Sequence, residues 1–463
     1  MRSFLRDTAG GMPATYWYLW TGILINRVGG FAVLFLSLYL TAQRGASTAM
    51  AGLIVGTYGI GGILGTLLGG VLSDRWGRRN TLLGAHFLCS VVLAGLALSS
   101  NLVVIAGLCL LLGLLQSAPS PAFVAAIIDV VPAERRSRAF NLQFWAFNLG
   151  TASASLLAGL LAQWSYVGLF LIDATSTLIA GALIAWKVPE TLTRTSSAQV
   201  PTASAGRWTR RFGWSAGRSG RFGWPAGRPG RFGWPAGRPG RFEWSAGRPA
   251  RPARSAGLAT ALTDRIFLAF VGLTLLQALI FSQNNTIVPL AMRDDGLSPS
   301  AYGVVAALGG ALIVVGQLFV PRLIDGHRKD RVLAVALLAN GIGFALLALA
   351  DSLVAYVIAA VVWTVGNMLA APPNAEINSE LAPPLLRGRY QAVFFLTFPA
   401  ASFLAPSLGG LGLQYLGNAH WLLIGLLGAA AALLHLAAGP PRERRVATIR
   451  DQTALTTADA HPS

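Results

Sequence analysis

The chain has 463 residues, of which 54% are hydrophobic and only 12% charged, with a formal net charge of +18. Soluble globular proteins carry about 25% charged residues, so this composition excludes a water-soluble fold and points to a chain that crosses a lipid bilayer repeatedly. The positive charge is almost all arginine, since Lys187 and Lys329 are the only lysines, and most of the net charge falls in one central loop; with no separate basic, aromatic-rich domain, no nucleic-acid partner is expected.

Twelve apolar runs follow one another, at roughly 14–41, 49–72, 80–99, 102–129, 139–163, 166–187, 266–292, 299–322, 332–350, 353–378, 389–415 and 420–438. Each approaches the about 20 residues that span a 30 Å hydrocarbon layer as a helix. They are continuously apolar and do not alternate at period two, which excludes a membrane barrel. The first run is too long for a signal-peptide core and is expected to be retained. Cationic residues sort between the two sides. The links after even-numbered runs carry Arg75, Arg78, Arg79, Arg135, Arg136, Arg138, Arg328, Lys329, Arg331, Arg387 and Arg389, whereas those after odd-numbered runs hold only Arg44 and Arg293. The excess of positive charge on cytoplasmic loops puts both termini in the cytoplasm, as an even number of spans requires. Cys89 and Cys109 lie inside apolar runs and offer no disulfide framework or metal spacing. No nucleophile–base pair is visible either, so neither catalysis, a metal nor a cofactor is expected.

The chain repeats itself at an offset of 251. Asp129 and Pro132, followed by Arg136-Ser137-Arg138, recur as Glu380 and Pro383, followed by Arg387-Gly388-Arg389; Asp74 corresponds to Asp325 and Pro121 to Pro372. Six spans repeated in parallel predict two six-helix bundles, over 1–190 and 264–438, with a cytoplasmic tail over 439–463. Between the bundles, 191–263 contains four copies of a ten-residue Arg/Phe/Gly/Trp/Pro repeat starting at Arg211, Arg221, Arg231 and Arg241. Proline and glycine at that density predict a disordered linker, either a tolerated expansion or a stretch resting on anionic lipid.

The link after the second run reads Gly70-Val71-Leu72-Ser73-Asp74-Arg75-Trp76-Gly77-Arg78-Arg79. It resembles the loop 2–3 signature of the major facilitator superfamily over ten positions. The resemblance implies an all-α membrane protein whose two bundles rock around a midplane cavity. It also implies a gating set of Gly70, Asp74, Arg75, Gly77, Arg78, Arg79 and Asp129, with Arg78 paired to Asp129 and Asp74 facing the start of the eleventh span near Arg389 and Tyr390. The stripe Gly150, Ala154, Ala158 in the fifth span resembles the motif of drug–proton antiporters, but Ser155 stands where proline is expected.

Arg27 lies deep in the first span, where a lipid-facing charge costs several kcal/mol, so it should face a partner or a wet cavity; its neighbour Asn26 is matched through the repeat by Gln277. First and seventh spans line the central cavity in the superfamily. Asp173, inside the sixth span, is the candidate proton site, or else the cap of an external helix turn. Gln283 and Asn284 form a polar patch in the seventh span able to bind a substrate. These features predict a monomeric, multi-pass transporter of the cell membrane, surrounded by lipid bilayer and moving a small-molecule substrate. The expected function is export of a small amphipathic organic compound coupled to protons. The alternatives are uptake of a sugar, peptide or other metabolite by the same fold, and a receptor that transports nothing.

Overall fold

The computed structural model describes residues 11–191, 259–317, 319–383 and 386–460. Among them twelve helices are long and apolar enough to cross a bilayer: Ala14–Arg44, Thr48–Trp76, Arg78–Leu98, Leu102–Val130, Arg138–Leu161, Tyr166–Lys187, Arg265–Asp294, Pro299–Gly316, Lys329–Leu349, Leu353–Leu381, Arg387–Leu416 and Ala419–Ala437. They are called the first to twelfth spans below. The side bearing the links after even-numbered spans is the basic face. Most of the expected linker lies outside the described residues; its last five residues, Ala259–Thr263, form a short helix. The expected tail is helical from Gly439 to Ala460.

Local chemistry starts several spans cleanly on the opposite face. Ser47, Asn101, Ser165 and Ser298 accept hydrogen bonds from backbone N–H groups of the first turns of the second, fourth, sixth and eighth spans, satisfying donors that a helix start leaves orphaned. The helices form two six-helix bundles. In one, the first span packs on the fifth and sixth and the second on the fourth. In the other, the ninth packs on the tenth and twelfth and the seventh on the eleventh. Leucines, valines and phenylalanines such as Leu67, Val91 and Leu426 stay exposed on the outer surface, as contact with lipid requires.

Small residues set how the bundles meet. Gly52, Gly56 and Gly59 of the second span lie against Pro406, Ser407 and Phe403 of the eleventh so closely that a Cβ would collide at each. Gly61, Gly65 and Gly69 press in the same way on Leu110, Leu114 and Ala118 of the fourth, the close approach that small-residue stripes permit. Fifth and eighth spans meet through Gly159 and Gly303. The contacts between bundles, at Gly52, Gly56, Gly59, Gly159 and Gly303, belong to the half of the molecule away from the basic face. There one apolar core joins both bundles, running from Phe35 and Tyr39 to Ile287, Tyr302 and Trp421. Toward the basic face the core splits into clusters that each belong to one bundle. One cluster, around Tyr16, Leu19 and Ile127, comes from the first bundle only; another, around Phe267, Ile377 and Tyr390, comes from the second only. The walls therefore close at the opposite face and part toward the basic one.

Candidate functional site

The first span is not one helix. It runs from Ala14 to Val28, breaks at Gly29-Gly30-Phe31, and restarts from Ala32 to Arg44. Gly29 lies against Ser176 of the sixth span with no room for a Cβ. The restart is held from the same helix: the Ala32 N–H donates to a carboxylate oxygen of Asp173 at 2.9 Å. A carboxylate at a helix N-terminus meets both unpaired N–H groups and the positive end of the helix dipole. Asp173 is 2% exposed, and its second oxygen lies 3.4 Å from the Thr177 hydroxyl, which in turn accepts from the Asn26 amide at 2.9 Å. Asp173 therefore does cap a helix, but across the bundle interior and in mid-span, not at an external turn.

Arg27 ends the turn before this break and projects into a cavity of about 290 Å³ between the bundles. Its guanidinium stands 4.2 Å above the ring of Phe147 in the fifth span, an attraction of about 0.5–2 kcal/mol. Among the described residues it forms no ion pair. Asn26, Tyr58, Asp173, Asn284, Asn285 and Trp363 share the lining, and Tyr58 donates to the Gln116 side chain at 3.0 Å. Arg27 is the one cation and Asp173 the one carboxylate among those lining residues. A second space of about 260 Å³ continues from Arg27 and Gln116 past His86 and Phe123 within the first bundle.

The other sequence candidates separate. Gln277 lies outside the central cavity and accepts from the Asn374 amide at 2.7 Å. Gln283 is 1% exposed and turned to the eleventh span, its amide 3.4 Å from the Ala405 carbonyl; it does not reach the cavity, whereas Asn284 does.

At the basic face, Arg78 Nε lies 3.1 Å from an Asp129 carboxylate oxygen. Gly77 adopts φ +99°, and a Cβ there would strike the Glu190 carboxylate. That carboxylate accepts from the Arg78 and Arg79 N–H groups at 3.0 and 3.2 Å and so caps the third span. Arg79 also reaches the Ala185 carbonyl. Gly70 has open space where a Cβ would go, and Arg75 is exposed. Asp74 is exposed and makes no hydrogen bond or ion pair among the described residues, contrary to the contact expected with the start of the eleventh span. Tyr390 instead donates to Asp264, which also binds Arg445 of the tail helix, both at 3.1 Å. With the walls parted on this face, that contact is out of reach. Sequence reasoning missed Phe147, the break after Val28, Glu190 and the docked tail helix.

The family model described as Major Facilitator Superfamily matches residues 19–283 and 266–458. The chain belongs to that superfamily. It is a secondary transporter, not an enzyme. An uncharacterized MFS-type transporter of Bacillus subtilis, YqjV, is 33% identical over 170 residues, 36% of this chain and 42% of that protein. A gallate transporter of Pseudomonas putida is 27% identical over 441 residues, 91% of each protein. Among solved structures, a POT family transporter in complex with 5-aminolevulinic acid superposes with a TM-score of 0.71 at 12% identity, covering 93% of this chain and 97% of that one.

Proposed function

We propose that this transporter exports a small amphipathic organic compound, one carrying an acidic group, in exchange for protons. The observation that carries the reading is the pairing in one cavity of an unpaired guanidinium, Arg27, with a buried carboxylate, Asp173, at the break of the first span. A cation without a carboxylate partner attracts an anion, and Phe147 beneath it supplies an apolar body to pack on. Asp173 is the proton site: protonation withdraws its charge from the Ala32 helix start and from Arg27 together, which couples the proton to the geometry of the cavity. The basic face is assigned to the cytoplasm by the positive-inside rule, with both termini there, in the cell membrane, and the chain acts as a monomer. The parted walls then make this an inward-facing state, and Asp74, Arg75 and the Arg78–Asp129 pair are the gate that closes on the eleventh span in the other state. Export suits an anion, because moving one negative charge out of an interior-negative cell releases about 2.3 kcal/mol per 100 mV. The likeness to the gallate transporter favours a second reading, uptake of an aromatic acid with protons.

The test is flux into and out of proteoliposomes containing the full chain, with organic acids as substrates. A pH gradient is expected to drive accumulation on the acidic side if protons exchange with substrate, and on the alkaline side if they accompany it. Flux indifferent to the gradient would remove proton coupling.

A further inference from the structure

The internal repeat places a second pocket opposite the first. The offset of 251 that relates the bundles carries Asn26 to Gln277, Arg27 to Ala278, Gln116 to Asn367, Phe123 to Asn374 and Phe147 to Phe398. The first member of each pair lines the space beside Arg27 and the second lines a cavity of about 370 Å³ in the second bundle. The two are one pocket duplicated with its chemistry changed. Among the described residues no charged side chain lines the second copy: Ala278 stands where the first has Arg27, Leu337 where it has His86, and Asn374 where it has Phe123. Phe281 lines both this pocket and the central cavity, so the spaces adjoin.

The amides are tethered but not satisfied. Asn374 donates to Gln277 at 2.7 Å and Asn378 donates to Gln391 at 3.0 Å. Asn374 is 6% exposed and Asn378 3%, yet among the described residues the side-chain oxygen of each has no hydrogen-bond partner. Buried acceptors are nearly always paired, and an orphan costs its desolvation in full. Two orphans on neighbouring turns of one helix, in a pocket walled by Phe394, Phe395 and Phe398, are acceptors waiting for donors on an aromatic or apolar body. A cation is disfavoured, since no carboxylate lines the pocket and Arg27 lines the adjoining cavity.

We infer that this neutral pocket is the second half of the substrate site. It takes the O–H or N–H end of a small aromatic acid whose carboxylate lies at Arg27. The inference rests on the transport reading above for its carboxylate end and adds the donor end. A pocket built to accept a hydrogen bond rejects the analogue that lacks the donor, because its own acceptors are then left unpaired.

The test uses the purified full chain and two probes, 3-(4-hydroxyphenyl)propanoate and its 4-methoxy ether, with affinities measured by calorimetry. The wild-type protein is expected to bind the phenol about tenfold or more tighter than the ether. In the double variant Asn374→Leu with Asn378→Leu the phenol should fall to the level of the ether; should that protein not fold, Asn374→Ala alone should shrink the ratio. Arg27→Ala should weaken both probes by the same factor and leave the ratio intact. No preference in the wild-type protein, including no binding of either probe, overturns the inference, as does a preference that survives the asparagine substitutions. Absence of proton-driven flux with the phenol preference intact would sink the transport reading and leave this pocket standing.

Discussion

Arg27→Ala separates a substrate-binding guanidinium from one that merely holds helices together. The structure sets both magnitudes. For stability, the substitution removes a cation–π contact worth about 0.5–2 kcal/mol and breaks no ion pair, so folded protein should still be recovered. For binding, it removes the one cation lining the cavity. A hydrogen bond to a charged group contributes roughly 1.5–3 kcal/mol, which converts to roughly 10–150-fold in affinity at 1.4 kcal/mol per decade. The Coulomb energy of a carboxylate 4 Å from the guanidinium, about 4 kcal/mol at an effective dielectric of 20, bounds this from above. Arg27→Lys keeps the charge and loses the planar fork, so it should fall between. The assay is flux and binding of an organic acid in proteoliposomes, normalised to folded protein. Substrate affinity should drop steeply in Arg27→Ala while the yield of folded protein changes little. The reverse pattern, poor yield with normal affinity and normal driven flux per molecule, would show Arg27 to be a structural residue and refute the reasoning.

Gly59→Leu should prevent the second span from seating on Phe403 and open the face away from the basic side; cysteine labelling from that side should rise, and unchanged labelling would contradict the packing. Gly77→Ala combines a positive φ with a collision at Glu190 and should cost about 1–3 kcal/mol, read as a lower melting temperature of the purified protein. Asp74→Asn should slow turnover without reducing membrane insertion, because among the described residues Asp74 has no partner to lose and the proposed gate gives it one only on closing; wild-type turnover would reduce it to a topology charge. Cysteines replacing Ala49 and Gln414, whose backbone N–H and side-chain oxygen are bonded at 2.8 Å, should be joined by a short thiol-to-thiol cross-linker in this state, while cysteines at Asp74 and Arg389 should not.

The spans and the charged turn were legible in the sequence because their causes are local. A bilayer demands about twenty apolar residues, and a link between two such helices must end in water. Arg27 was legible for the same reason, since a charge at that depth has to face the interior. The break after Val28 was not. Gly29 and Gly30 are ordinary in a membrane helix, and what holds the restart is the Asp173 carboxylate, about 140 residues away in sequence, taking the Ala32 N–H. Gln283 and Asn284 differ by a rotation of about 100° around one helix; hydropathy marks both as polar but cannot say that the first turns to the eleventh span and the second to the cavity. The tail helix is similarly non-local. Its own composition is polar, and its place is set by Arg445 on Asp264 and by Arg450 on Glu380 at 2.8 Å. The repeat at 251 was visible from the start, yet that Asn374 and Asn378 share one pocket with Gln277 emerges only once the tenth span is set against the seventh and eleventh.

The central claim is that Asp173 carries the proton that drives an organic acid through the Arg27 cavity. The most direct measurement compares wild type with Asp173→Asn in the same proteoliposomes, following substrate and internal pH together. The asparagine oxygen can still accept from Ala32, so the first span should keep its break and the protein its fold. The account predicts that substrate-for-substrate exchange persists in the variant, while substrate no longer moves protons and a pH gradient no longer drives accumulation. A variant that still accumulates substrate against its gradient, with the wild-type pH change, would contradict it.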